Sequence, residues 1–291
     1  MLQAPVLRRK RLQADLMLLG AALVWGGAFS AQRVAAAHLG FFLFNGLRFL
    51  LGALVLGPLL WSRRRGTTGL EWRGGALAGL LLLAASALQQ AGLRFTTAGK
   101  AGFITGLYVI LVPLLLAVVW RRRPPLNAWI ASLLATVGLF LLSTGGQRLA
   151  LAPGDGLELA GAVLWAFHVI LIGHLAGRVD PLRLAAIQYL VCGLLGTLLG
   201  LGLEAATLGG LAQVWWAVLY AGGLSVGLGY TLQVVGQQYA PATDAAIILS
   251  LEAVFAALFG WLLLAEALSG PQRLGGALML AGVLLAQRGG S

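Results

Sequence analysis

Two related stretches of the sequence decide the fold. The first is QQAGLRFTTAGKAGFITGLYVILVP, from Gln89 to Pro113, and the second is QVVGQQYAPATDAAIILSLEAVFAA, from Gln233 to Ala257. Aligned at an offset of 144 residues, they match glutamine, glycine and aromatic positions. Each stretch also places one charged residue, Lys100 or Asp244, at the start of an apolar run. The chain therefore repeats one pattern in two similar halves.

The composition is that of a membrane protein. The chain has 291 residues, of which 59% are hydrophobic and 10% charged, and its mean hydropathy is +0.90. Soluble domains contain about 25% charged residues, and no polar stretch of domain length interrupts this chain. The net charge of +11 lies in short basic clusters between apolar runs, which membrane topology explains better than nucleic-acid binding does. The single cysteine, Cys192, excludes a disulfide framework and a thiolate metal site.

Ten apolar segments are long enough to cross a bilayer, whose hydrocarbon core of about 30 Å requires about 20 residues of helix. The predicted fold is therefore an all-α polytopic membrane protein with ten transmembrane helices. The first segment follows a basic stretch, but its length predicts a spanning helix rather than a cleaved leader. The segments lie near residues 15–37, 41–61, 74–93, 98–120, 126–144, 156–176, 182–203, 213–236, 241–264 and 271–287.

The longest connection, near residues 145–155, divides the helices into two groups of five. We predict one five-helix repeat in residues 1–150 and a second in residues 151–291. The repeat extends to other segments, since Trp25 aligns with Trp165 at an offset of 140. Because five is an odd number, the second repeat would enter the membrane in the opposite orientation. Inverted repeats of this kind are common in secondary transporters, which bind substrate between the repeats.

The basic residues predict which side of the membrane each connection occupies. With both termini in the cytoplasm, fourteen of the twenty basic residues fall on the cytoplasmic side, as the positive-inside rule requires. These fourteen are Arg8, Arg9, Lys10, Arg11, Arg63, Arg64, Arg65, Arg73, Arg121, Arg122, Arg123, Arg178, Arg183 and Arg288.

The chain resembles the EamA-type family of the drug/metabolite transporter superfamily over essentially its whole length. The resemblance is carried by LVWGGAF (23–29), FNGLRFLLGAL (44–54), TTAGKAGFITGLYVILVPLL (96–115) and the long second-half stretch from Ala242 to Ala286. It implies a ten-helix carrier of the bacterial inner membrane, often an exporter of amino acids or other small metabolites. The chain departs from the family pattern at Ala253, where a proline is usual. In addition, Arg122 aligns with an acid, Glu266, in the other repeat.

Two ionisable residues within predicted spans are candidates for function, because charge in hydrocarbon is costly. Arg48 lies three residues after Asn45, on the same helix face, and could bind a carboxylate or cap carbonyl groups of a neighbouring helix. Glu252 lies near the middle of its span, where its counterpart is Tyr108. It could carry a proton or act as a structural hydrogen-bonding group.

Polar and aromatic residues at repeated positions complete the predicted substrate site. Aromatic walls with a few polar groups are typical of small-molecule sites, although tryptophans also serve as interfacial anchors. The predicted substrate-binding residues are Trp25, Asn45, Arg48, Gln89, Tyr108, Trp165, His168, Tyr230 and Gln233, with Glu252 as the coupling residue. We predict gating roles for Lys100, Asp244 and Pro113. The alternatives are snorkelling for the lysine, a helix-terminal charge for the aspartate and a static bend at the proline.

These observations favour a secondary carrier that moves a small metabolite by alternating access. The family resemblance adds export, with amino acids as one substrate class. A facilitative, channel-like uniporter remains an alternative, and a membrane-embedded enzyme is less favoured because no convergent catalytic set is visible. TTAGKAG lacks the spacing of a P-loop. Expected partners are the substrate, the lipid bilayer and protons, without nucleic acid, cofactor or metal. A monomer would suffice, and a homodimer stays open.

Overall fold

A computed structural model of the chain describes residues 4–61, 66–148, 151–204, 208–264 and 267–288. Arg63, Arg64, Arg65 and Glu266 lie outside the described residues. Throughout these described ranges the secondary structure is helical, without a strand. The elements are α1 (Ala4–Gly26), α2 (Ala28–Ala36), α3 (Phe41–Trp61), α4 (Gly69–Gly92), α5 (Ala98–Gly106), α6 (Tyr108–Val118), α7 (Leu126–Thr144), α8 (Asp155–Leu175), α9 (Pro181–Leu203), α10 (Leu208–Leu219), a π-helical segment (Tyr220–Tyr230), α11 (Thr231–Gly236), α12 (Ala242–Leu249), α13 (Glu252–Leu264) and α14 (Gly270–Arg288).

Nine helical stretches within the described ranges are long and apolar enough to span a bilayer. They correspond to the first nine predicted segments, several of them formed by two consecutive helices. The tenth predicted segment is α14, a helix of 19 residues. It is less apolar because glutamine and arginine residues occupy both of its ends. The chain is therefore a multi-pass membrane protein, as predicted from its hydropathy.

Corresponding helices of the two halves pack against each other. The second span of the first half, α3, packs along the second span of the second half, α9. The two fifth spans, α7 and α14, pack along each other in the same way. Other contacts occur twice, because the third span of each half packs on the first and second spans of the other half. For example, α4 packs on α8 and α9, and the π-helical segment packs on α1 and α3. The interior of the protein is thus formed jointly by both halves.

The contact between α7 and α14 depends on glycine. A Cβ atom added at Gly275 would lie 2.5 Å from the carbonyl oxygen of Gly138 and 2.5 Å from the backbone nitrogen of Leu142. Only backbone atoms are involved, so no rotamer change can make room for a methyl group. Small residues allow this close approach of two helices in a membrane.

We expect Gly275→Ala to destabilise the protein by about 1–3 kcal/mol, the usual cost of overpacking. The adjacent Gly276 is a matched control, because a Cβ atom there would meet nothing within 4 Å. Gly276→Ala should leave stability unchanged or raise it slightly, since alanine is the better helix former. Thermal unfolding of the detergent-purified variants measures both. Equal melting temperatures for the two variants would contradict the close contact.

Two spans are interrupted at equivalent positions. The fourth span breaks at Leu107, between α5 and α6, and the ninth breaks at Ser250 and Leu251, between α12 and α13. At both breaks the backbone forms i to i−3 hydrogen bonds, from Leu107 to Ile104 and from Leu251 to Ile248. Pro113 lies within α6, beyond the break. Because the second half breaks without a proline at the corresponding place, Pro113 does not account for the interruption.

Candidate functional site

A small cavity lies between the two halves, beside both interrupted spans. Its volume is about 40 Å³, which admits water but is too small for an amino acid. Eight of the predicted site residues line it, namely Trp25, Arg48, Gln89, Tyr108, Trp165, Tyr230, Gln233 and Glu252. Three polar lining residues were not predicted from the sequence, and these are Gln32, Thr105 and Ser225. The remaining lining residues are Ala28, Phe29, Val169 and Leu249.

Arg48 brings a buried positive charge to this cavity. Its side chain is 2% exposed, and its Nε atom makes no hydrogen bond. The guanidinium carbon lies 5.4 Å and 5.1 Å from the ring centroids of Phe44 and Phe49. Within the described part of the chain, no carboxylate forms an ion pair with Arg48. A buried cation without a counter-ion is unfavourable unless a ligand supplies the negative charge.

Glu252 brings a carboxyl group to the same cavity. It is the first residue of α13, directly after the break, and it is 7% exposed. Its side chain interacts with that of Tyr108, the first residue of α6. The two interrupted spans thus present corresponding residues to each other. The cavity therefore holds one cationic and one acidic side chain that are not paired with each other.

Aromatic rings form a wall of the cavity around Tyr230. The ring centroid of Tyr230 lies 4.6 Å from that of Trp25 and 5.8 Å from that of Trp165, which is stacked on it. His168 contacts both Trp165 and Tyr230 edge-on, at centroid distances of 6.0 Å and 6.4 Å. Both repeated tryptophans thus contact one tyrosine, and aromatic faces of this kind can accommodate a cation by cation–π attraction.

Hydrogen bonds hold the two tryptophans in different ways. Trp165 donates to the side chain of Gln89 at 2.8 Å, whereas Trp25 donates to the backbone carbonyl of Ser225 at 3.0 Å. Ser225 lies in the π-helical segment, and such segments are frequent at functional sites. Gln233 donates to Gln237 at 3.1 Å, while its own Oε1 atom has no partner. This oxygen is an acceptor available to a ligand in the cavity.

Two predicted substrate residues are not among those that line the cavity. Asn45 donates to the carbonyl oxygen of Phe41, one turn earlier in its own helix, at 2.8 Å. His168 shares a hydrogen bond of 2.9 Å with Gln188 and lies behind the aromatic wall. Asn45 shares a helix face with Arg48 but not its cavity, because the amide nitrogen of Asn45 bonds within its own helix; Oδ1 of Asn45 and Nδ1 of His168 are buried without a partner.

A second buried carboxyl group lies behind the cavity wall. Glu158 is fully buried and accepts a hydrogen bond of 3.0 Å from the hydroxyl group of Thr105, which is a lining residue. Glu158 does not stand out in the sequence, because its place in the first turn of α8 is also typical of a helix-terminal acid.

The two charges at the starts of the repeated stretches both form ion pairs. Lys100 pairs with Asp155 and Asp244 pairs with Arg11, each at 2.6 Å. Their partners are themselves 144 residues apart, so the two ion pairs occupy equivalent positions with opposite polarity. All four side chains are at most 24% exposed. Lys100 therefore does not simply extend into water. Asp244 lies in the first turn of α12, where a negative charge is also favourable.

The ion pairs lie at opposite ends of the molecule. Arg11 is near the start of the first span, which continues to Ala36. The other pair lies close to the far end of that span, where Arg94 donates to the carbonyl of Leu39 and Thr96 donates to Asp155. At 1.5 Å per residue, the stretch from Arg11 to Leu39 corresponds to roughly 40 Å of helix. The cavity lies between the two ion pairs.

The fold and the cavity define a multi-pass membrane protein with a polar site enclosed by two similar halves. The chain belongs to the EamA-like transporter family, whose model matches residues 12–144 and again residues 152–287. This confirms the family predicted from the sequence. Several relatives of the chain are named transporters, and with the family this supports transport as its general role.

Three comparisons illustrate the relationship. The chain is 32% identical over 281 residues to an uncharacterised transporter of Archaeoglobus fulgidus, which covers 95% of this chain and 86% of the relative. It is 30% identical over 166 residues to the threonine/homoserine exporter RhtA of Salmonella typhimurium, over 55% of this chain and 54% of the exporter. A solved crystal structure with 21% identity has a TM-score of 0.78 and covers 94% of this chain and 96% of its own. That likeness concerns the fold alone.

Proposed function

We propose that this protein is a secondary carrier that exports a small zwitterionic metabolite, in the first place an amino acid, across the bacterial cytoplasmic membrane. The observation that supports this most directly is the cavity that holds Arg48 and Glu252 without an ion pair between them. Guanidinium binds carboxylate in a bidentate way, and a carboxylate beside aromatic faces suits an ammonium group. The similarity to a threonine/homoserine exporter supports both the substrate class and the direction.

The proposed carrier has ten transmembrane helices in two inverted five-helix repeats, residues 1–150 and 151–291, with both termini in the cytoplasm. The reciprocal helix contacts and the two matched helix breaks support this arrangement. Discontinuous helices beside a site near the midplane recur in carriers of this architecture. One chain holds both repeats, so a monomer suffices. Neither an enzymatic reaction nor a cofactor or metal is part of this proposal.

The two ion pairs are the proposed gates. Each joins the start of an interrupted span to the start of the first span of one half, Lys100 to Asp155 and Asp244 to Arg11. With both pairs closed, the cavity of about 40 Å³ is smaller than the substrate. Opening one end at a time would enlarge the cavity and expose it to one side, which is the essence of alternating access.

Transport by proteoliposomes tests the proposal. Liposomes containing the purified protein would be loaded with labelled L- and D-amino acids, and release would be followed with and without an imposed pH gradient. We expect saturable release that distinguishes the two stereoisomers and is accelerated by the gradient. Release that neither saturates nor distinguishes stereoisomers would favour the channel-like alternative. Failure to release any amino acid would refute this substrate class.

Glu252→Gln tests proton coupling separately from binding. We expect the variant to exchange amino acid for amino acid but to lose acceleration by the pH gradient, since the amide cannot be protonated and deprotonated. Glu158→Gln is the matched control, because this buried carboxyl group lies outside the cavity lining. It should retain the gradient response. If Glu252→Gln responds to pH as the unmodified protein does, Glu252 has a structural role.

A further inference from the structure

A second and larger concavity opens on the side of the bundle, between α4, α6, α8 and the start of α12. Its volume is about 710 Å³, within the range of roughly 300–1,000 Å³ of small-molecule sites. It shares no lining residue with the central cavity. Two residues on its walls, Leu77 and Trp120, are 51% and 43% exposed, so the groove is open to the surroundings of the bundle.

The groove changes from apolar to basic along α8. The apolar part of the groove is lined by Leu81, Leu116 and Phe167. About two turns beyond Phe167, the lining continues with His174 near the end of α8, and then with Arg178 in the turn that follows the helix. Arg122 joins them from the end of the fourth span, beside Trp120, whose ring lies 5.9 Å from that of Phe167. Among the described residues that line the groove, none is acidic.

The basic rim of the groove consists of Arg122, His174 and Arg178. The backbone and a hydrogen bond hold it in place. Arg178 donates to Nε2 of His174 at 2.9 Å, the only direction available because guanidinium has no acceptor. At the end of α6, Arg121 has a positive φ of 52°, and the backbone N–H of Arg122 returns to the carbonyl of Leu116 at 3.0 Å. A left-handed conformation is costly for arginine and persists only where the surroundings enforce it.

We propose that this groove binds one anionic phospholipid, with the phosphate on Arg122 and Arg178 and an acyl chain along the leucine and phenylalanine wall. The order of the lining residues, apolar and then basic, matches the order of chain and headgroup in a lipid. Tryptophan is typical of the interface between the two regions. The rim belongs to the basic segments predicted to face the cytoplasm, where basic pockets between helices bind anionic headgroups.

This site would sit beside one of the ion pairs. Thr243 lines the groove, and the next residue, Asp244, pairs with Arg11. A lipid in the groove would therefore contact the element that carries this pair. The proposal itself does not depend on which substrate the central cavity takes.

Native mass spectrometry of the delipidated full-length protein tests the proposal. Phosphatidylglycerol and phosphatidylcholine with identical acyl chains would be titrated in parallel. We expect phosphatidylglycerol to bind about 25-fold more tightly, since each arginine contributes about a factor of five towards a headgroup of net negative charge, whereas the choline cation neutralises the phosphate charge of phosphatidylcholine. Arg122→Gln combined with Arg178→Gln should abolish this preference. Arg8→Gln combined with Arg9→Gln removes the same charge from exposed positions of α1 and should preserve it.

Three results would overturn the proposal. These are equal affinity for the two lipids, a preference that survives the Arg122 and Arg178 substitutions, and protection against thermal unfolding by glycerol phosphate as strong as that by phosphatidylglycerol. The last result would indicate a site for a soluble phosphate. A second measurement remains if the double variant does not fold. Phosphatidylglycerol with brominated chains should quench tryptophan fluorescence more than brominated phosphatidylcholine does, and Trp120→Phe should remove that difference.

Discussion

Replacing Arg48 by glutamine is expected to abolish transport while making the substrate-free protein more stable. The variant should bind amino acid about 100-fold more weakly, because an ion-paired hydrogen bond to the substrate carboxylate is lost. The melting temperature without substrate should rise, since a buried cation without a counter-ion is replaced by a neutral group. These opposite effects distinguish a ligand-binding arginine from one that supports the fold.

Arg94 is the matched control for this prediction. It donates to the carbonyl oxygen of Leu39 at 2.9 Å and so has a structural contact. Arg94→Gln should lower the melting temperature without a comparable loss of affinity. Arg48→Lys should retain part of the binding, since a lysine keeps the charge but cannot form the bidentate contact. If Arg48→Gln lowers stability as Arg94→Gln does, Arg48 caps backbone carbonyls and the substrate anchor lies elsewhere.

The fold could be predicted because apolar spans and repeats are local properties of the sequence. Segment lengths located the helices, and the offset of 144 residues identified corresponding positions. The break at Leu107 could not be predicted with the same means. Pro113 was the visible signal for a bend, whereas the interruption lies six residues earlier and recurs where the second half has no proline.

The sequence predicts those lining residues of the cavity that are charged within a span or aromatic at repeated positions. Arg48 and Glu252 stand out because charge within a span is rare, and Trp25 and Trp165 stand out because they repeat. Thr105 and Ser225 were missed, since small hydroxyl residues also serve as packing groups in membrane helices. His168 was selected for its chemistry, but only the tertiary structure reveals its hydrogen bond with Gln188.

The ion pairs contained a signal that the sequence analysis left unused. Lys100 and Asp244 were recognised as equivalent, but their partners are distant in sequence and could not be assigned from one helix. Applying the same offset to the partners relates Arg11 to Asp155. At both equivalent positions the charges are reversed between the two pairs, so the attraction is kept although each side chain differs. This is expected if the attraction matters rather than the individual side chain.

Neutralising one ion pair is expected to open the protein at that end only. A cysteine reporter at Ser225, which lines the cavity, would be introduced together with Cys192→Ala. Asp155→Asn should raise labelling by a membrane-impermeant thiol reagent about tenfold from the side of the Lys100 pair, within the usual range of conformational coupling. Asp244→Asn should do the same from the opposite side. Each variant is therefore the control for the other.

The reversed polarity of the two pairs offers a direct test of whether attraction or packing closes each end. Lys100→Asp combined with Asp155→Lys exchanges the two charges. The negative charge then lies at the start of the interrupted fourth span, and the positive charge lies at the start of α8, the first span of the second half. The Asp244 pair with Arg11 already has this arrangement. The combination should restore the closed state that Lys100→Asp alone disrupts by placing two like charges together. Labelling that stays high in the combined variant would show that the shape of Lys100 and its other contacts, not the charge pair, keeps this end closed.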